Sequence, residues 1–213
     1  MSIKQGLLAL LEQGPMYGFQ LRADFERRTG ATWPLNIGQV YTTLSRLERD
    51  GFVANDGADD EGHVVYRITD EGRVEVRSWF ATPVERTQPP RDELAIKLAL
   101  AVTVPGVDVS AVIQQQRGAT MTALQDYTRV KRATDVTGAS GAIEPTGLAW
   151  TLVLDSLVFA AEAEIRWLDH CEARLRRAAR EAADRRVPEV SGVLTKATTS
   201  AVGTPPSAGT ARP

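Results

Sequence analysis

A single cysteine, Cys171, stands in 213 residues, so no intramolecular disulfide framework exists. That scarcity fits a reducing compartment. Two histidines and one cysteine give no metal-ligand spacing, and no metal is expected. No apolar run approaches the roughly 18 residues that cross a bilayer, and the N-terminus has no apolar core with a basic flank like that of a secretory signal. A net charge of −2 gives no general attraction to polyanions. No nucleophile–base pair and no phosphate-cradling glycine loop appears, so no catalytic residue and no cofactor is expected. The expectation is a soluble intracellular protein, cytoplasmic, of one large or two small domains.

What is present is a helix written with both ends specified, from Asn36 to Asp50. Asn36 suits an N-cap, and Gln39 stands where a capping box places its amide. Leu35 and Val40 occupy hydrophobic-staple positions, and Gly51 is the expected stop. Val40, Leu44 and Leu47 form one apolar stripe. The other face carries Gln39, Thr42, Thr43, Arg46 and Arg49, short hydrogen-bonding groups and arginines that suit a major groove and its phosphates.

Around it, helices are expected over Ser2–Glu12, with Ser2 and Gln5 as a capping box, and over Tyr17–Arg28. Phe52–Ala54 and Val64–Ile68 are β-prone, separated by the Gly- and Asp-rich Asn55–Gly62. Thr69, followed by Asp70 and Glu71, opens a return helix. The fold class is mainly α: an N-terminal winged helix-turn-helix with a small β-hairpin wing, then an all-α C-terminal dimerisation domain. The boundaries are 1–81 for the winged helix, 82–91 for a proline-bearing linker, 92–186 for the helical dimerisation and effector domain, and 187–213 for a disordered Ser-, Thr-, Gly- and Pro-rich tail.

In the second domain, helices are expected over Asp92–Val102, Val107–Lys131 and Leu148–Ala183, with a glycine-rich loop over Thr137–Gly147. Leu154, Val158, Ala161, Ile165, Leu168 and Leu175 follow 4-3 spacing, the mark of a helix–helix seam, either between two chains or within one. Four tryptophans, Trp33, Trp79, Trp150 and Trp167, suit core and dimer packing. Alternatively Trp150, Phe159 or Trp167 lines a pocket for a flat apolar effector. Cys171 beside the seam reads as packing.

Gly14-Pro15-Met16-Tyr17-Gly18-Phe19-Gln20-Leu21, Gly38-Gln39-Val40-Tyr41, Leu44-Ser45-Arg46-Leu47-Glu48 with Gly51, and Tyr66-Arg67-Ile68-Thr69-Asp70-Glu71-Gly72 closely resemble the PadR family of bacterial transcriptional regulators. Asp92–Leu98 and the length of the C-terminal region resemble the longer subgroup of that family. The resemblance implies a ligand-responsive repressor that binds an inverted repeat of double-stranded DNA as a homodimer. It also implies a small aromatic or drug-like effector, since such proteins often sense phenolic or drug-like ligands. On it, Gln39, Thr42 and Thr43 face base edges, and Arg46 and Arg49 face phosphates unless Arg49 pairs with Asp50 or Glu48. Tyr17 and Tyr41 combine ring packing with a hydroxyl turned to the DNA backbone.

The wing departs from the family pattern. Its tip carries Asp56, Asp59, Asp60 and Glu61, leaving His63 and Arg67 as the wing's phosphate contacts. Residues 1–80 hold nine Lys and Arg against twelve Asp and Glu, a net of −3. That charge keeps a second reading open, a winged-helix protein-interaction module without DNA binding.

Overall fold

The structure, a computed structural model, describes residues 3–85, 91–138 and 145–185. The Ser2 cap, Pro89 and Pro90 of the linker, the middle of the glycine-rich loop and the tail from 187 lie outside the described residues. The described residues divide into two units, one ending at Trp167 and the other beginning at Leu168. The elements run α1 (Ile3–Leu11), β1 (Met16–Tyr17), α2 (Gly18–Thr29), α3 (Ile37–Arg49), β2 (Val53–Ala58), β3 (Val64–Ile68), α4 (Asp70–Ala81), α5 (Glu93–Ala101), α6 (Val109–Gly138) and α7 (Pro145–Asp184).

The first four helices and the strands close on a leucine core. Leu7, Leu8 and Leu11 of α1, Leu21 of α2 and Leu44 and Leu47 of α3 are all at most 1% exposed. Each such side chain stabilises by about 1.5–3 kcal/mol on leaving water. Leu35 and Val40 are both buried in this cluster, as the expected staple requires. Asn36 caps α3 by accepting from the Gly38 N–H at 2.8 Å. Thr69 caps α4, accepting from Gly72 N–H at 3.1 Å.

The sheet has three strands where the sequence pattern shows two. β1 pairs antiparallel with β3, Met16 opposite Tyr66 and Tyr17 opposite Val65, giving the order β1-β3-β2. A two-residue strand has no periodicity to betray it. Its consequence is functional, because it seats Tyr17 beside the wing. β2 also continues past Ala54 to Ala58 through an irregularity in register after Asn55.

The C-terminal helices are longer than expected. α6 continues to Gly138, and α7 begins at Pro145. Proline is well placed there, since its fixed φ suits a first helical turn and its missing N–H has no partner to lose. α6 and α7 run antiparallel, tied by Gln116 Nε2 to Glu164 Oε1 at 2.9 Å, by Thr120 to the same carboxylate, and by Lys131 to Asp155.

Leu154 (1%), Ala161 (7%) and Leu168 (0%) are buried within the single chain, and Val158, Ile165 and Leu175 are half-buried. The seam at Leu154 and Ala161 is thus covered without a second copy. Trp33 and Trp79 do not join the core; each is 38% exposed.

Candidate nucleic-acid interface

At 100° per residue, Val40, Leu44 and Leu47 define the inner face of α3, and Gly38, Thr42, Ser45 and Arg49 fall on the outermost stripe. All four are exposed. Gln39, Thr43 and Arg46 lie on the flank toward α1, where they line a groove with Ile3, Lys4, Leu47 and Asp50. Tyr41 and Glu48 occupy the opposite flank.

Hydrogen bonding sorts these groups. The cap on α3 uses Asn36 alone, so the expected capping-box role of Gln39 is not formed and its exposed amide stays available. Thr42 Oγ1 donates to Gly38 O at 2.8 Å, and Thr43 Oγ1 donates to Gln39 O at 2.7 Å. Arg49 is tied to its neighbour, with Nη2 3.0 Å from Asp50 Oδ1. Among the described residues Arg46 makes no ion pair, and it is exposed. Ser45 is the residue that motif reading passed over. It stands within the Leu44–Glu48 motif, and only rotating α3 about its buried stripe reveals that its hydroxyl faces outward. Lys4 was also missed; it reaches the groove from α1, with Nζ 3.3 Å from Glu75 Oε1 and 4.3 Å from the Phe52 ring centre.

Two aromatic contacts tie the helix to its surroundings. The Tyr41 ring lies so close to Gly18 that a Cβ there would stand 2.7 Å from Cζ. Phe19, 53% exposed, meets Tyr41 edge-on with centroids 6.4 Å apart. Tyr17 stacks on His63, with centroids at 4.6 Å and planes 14° apart. Burial first, then the charge of Glu48, pushes the Tyr66 phenol above its ordinary value and keeps it neutral.

The two wing groups expected to meet phosphates are held by the wing itself. Arg67 Nε lies 3.0 Å from Asp56 Oδ1. His63 Nδ1 lies 3.0 Å from Asp59 Oδ2 and 3.6 Å from Glu61 Oε2. Burial raises the Asp59 carboxyl, but hydrogen bonds from the His63 backbone, the His63 ring and Glu61 N–H outweigh it and hold the group below the ordinary range. Of the four carboxylates at the tip, Asp56 is therefore offset from within the wing, by Arg67.

The expected effector residues are not gathered into one site. Trp150 is committed elsewhere: its ring lies against Gly30, where a Cβ would stand 2.2 Å from Cζ3. Phe159, nine residues further along α7, points to the opposite side and is 66% exposed. Trp167 is half-buried on a third face. Among the described residues no cluster of His, Cys, Asp and Glu could hold a metal ion, and no helix is long and apolar enough to cross a membrane.

A helix-turn-helix whose third helix turns an open polar face outward, flanked by a three-stranded wing, defines a winged-helix DNA-binding protein. Residues 7–78 match the transcriptional regulator PadR-like family, and residues 90–176 match the virulence activator alpha C-terminal family. The chain belongs to the PadR-like family of transcriptional regulators and carries the extended C-terminal region. It is 28% identical over 181 residues to the probable transcriptional regulator Rv1176c of Mycobacterium tuberculosis, which covers 79% of this chain and 95% of that protein. Its fold resembles Bacillus subtilis PadR in complex with operator DNA, with a TM-score of 0.61, 20% identity and coverage of 81% of this chain and 97% of that one. It also resembles the same regulator in complex with p-coumaric acid, with a TM-score of 0.62, 21% identity and coverage of 82% and 98%. The chain is a DNA-binding transcriptional regulator.

Proposed function

We propose that this regulator represses transcription by binding, as a homodimer, an inverted repeat whose half-sites lie about 34–36 Å apart, one duplex turn. The observation that carries the reading is the exposed side of α3, where Ser45 on the outer stripe and Gln39 and Arg46 on the flank beside it make no ion pair and no side-chain hydrogen bond among the described residues. Gln39 and Ser45 offer hydrogen bonds to base edges, and Arg46 offers charge to a phosphate. Tyr17 and Tyr41, with Arg49, His63 and Arg67 once released from their carboxylates, complete the contact with the backbone. Binding of this kind places the protein with the chromosome, in the cytoplasm, and asks for no catalysis.

For the second copy, α7 leaves Leu148, Leu152 and Phe159 exposed within about 40° of one another on its outer face, at 47%, 61% and 66%. We assign the dimer contact to this face; the half-buried Val158 and Ile165 fall nearer the stripe of Leu154 and Ala161, which stays in the chain's own packing. A small aromatic acid, of the kind held by the Bacillus regulator, releases the DNA by changing how the two recognition helices are spaced. Solution mass together with hydroxyl-radical footprinting of the chain's own upstream region tests the reading. The expected result is a dimer protecting two half-sites; a monomer protecting one overturns it.

A further inference from the structure

The two adjacent threonines of α3 look interchangeable with any other hydroxyl pair on a recognition helix. Their hydrogen bonds say otherwise. A carbonyl oxygen has no proton to give, so the hydrogen in the Thr42 Oγ1 to Gly38 O contact, at 2.8 Å, is the threonine's only one. The same holds for Thr43 and Gln39 O at 2.7 Å. With that proton committed to the helix, neither hydroxyl can donate to the acceptors that bases show in the major groove, the guanine N7 and O6, the adenine N7 and the thymine O4. What remains for the duplex is a γ-methyl group and an oxygen lone pair.

The two residues are not equivalent in position. Thr42 is rotated about 200° from Val40 and is exposed at the centre of the outer stripe. Thr43 is half-buried on the flank, inside the groove with Lys4 and Asp50. One turn before Thr42 stands Gly38, which has no side chain to hold a base pair away. One turn after stands Ser45, whose exposed hydroxyl has no recorded partner among the described residues and can donate. The stripe therefore alternates an apolar point with a polar one. Thymine alone among the four bases presents an apolar group, its 5-methyl, in the major groove.

We propose that Thr42 reads a thymine through methyl–methyl contact, its hydroxyl serving only the helix. This rests on the reading that α3 lies in the major groove. It assigns one position of each half-site to thymine, and it makes Thr42 a specificity determinant that donates no hydrogen bond to DNA.

The test uses the full chain and a duplex enriched by it from a random pool, with affinities measured by fluorescence anisotropy. Thr42→Val keeps the methyl and removes the oxygen; Thr42→Ser keeps the oxygen and removes the methyl. Thr42→Val is expected to bind as the wild type does, and Thr42→Ser about fifteenfold more weakly, the worth of two methyls withdrawn from water, one in each half-site, at about fourfold apiece. Uracil is then placed for thymine one symmetric pair at a time. At one pair this is expected to weaken the wild type and Thr42→Val about fifteenfold, two methyls being lost, and to leave Thr42→Ser unchanged. The uracil arm leaves the protein untouched, so a folding defect in a variant does not decide the outcome. A Thr42→Val loss with Thr42→Ser intact, or uracil effects equal in all three proteins, overturns the proposal while leaving the major-groove reading standing. Failure of the wild type to enrich any sequence overturns both.

Discussion

The ring of Trp150, in the first turns of α7, lies against Gly30, the left-handed residue (φ +57°) that ends α2. Gly30 is required there twice over: a side chain strains the backbone, and its Cβ meets the indole. Gly30→Ala is expected to destabilise by more than the roughly 1–2 kcal/mol of a left-handed alanine alone. In a Trp150→Ala background the same substitution is expected to cost only that backbone share. Urea denaturation of the four proteins measures the difference, and equal costs in both backgrounds show that the contact is not made.

Glu26 fixes the chain that enters α3. Its Oε1 accepts from Arg22 Nε at 3.0 Å and from the Leu35 N–H at 3.1 Å. The Arg22 bond first, then the Leu35 bond, hold the carboxyl below its ordinary range against a small opposing burial effect. A depressed carboxylate stabilises the fold above its unfolded value, near about pH 4.3, and that contribution disappears as pH falls through the lowered folded value. Glu26→Gln is therefore expected to be less stable than the wild type at pH 7, with the gap closing on acidification below about pH 4. A gap independent of pH across thermal melts contradicts the assignment.

The wing's internal ion pairs predict an inverted charge effect. Asp56→Asn frees Arg67 from its partner at 3.0 Å. Operator affinity is expected to rise, and the slope of log K against log salt to steepen by about 1.8, one more phosphate neutralised in each half-site. Arg67→Ala in the same background is expected to reverse both changes. An Asp56→Asn protein with the wild-type slope places Arg67 away from the DNA.

Most of the winged-helix core was legible because its information is local. Leu35, Asn36 and Val40 set the start of α3 through contacts within a few residues, and the 3.6-residue period of Val40, Leu44 and Leu47 gives its buried face. What escaped depends on residues distant in sequence. β1 exists only as the partner of β3, and nothing near Met16 announces the pairing. The 4-3 spacing of Leu154 and Ala161 signals a seam but not its partner, and both prove to be buried within the single chain. Likewise His63 and Arg67 read as open to phosphate until Asp59 and Asp56 are found beside them in the hairpin. Ser45 needed the direction of the helix as well as its existence.

Arg46 separates charge from sequence reading on the same helix. Arg46→Ala is expected to weaken binding to operator and random duplex alike and to flatten the salt slope by about 2, about 1 for each copy of the helix. A loss confined to the operator means that Arg46 meets a base.

The central claim is that the outer face of α3 reads base edges. It is tested most directly by the specificity ratio, the affinity for an enriched operator over that for random duplex, in a Gln39→Ala/Ser45→Ala protein with unaltered thermal unfolding. The account expects this ratio to fall by about tenfold or more while affinity for random duplex holds. An unchanged ratio, or equal losses on both duplexes, contradicts it.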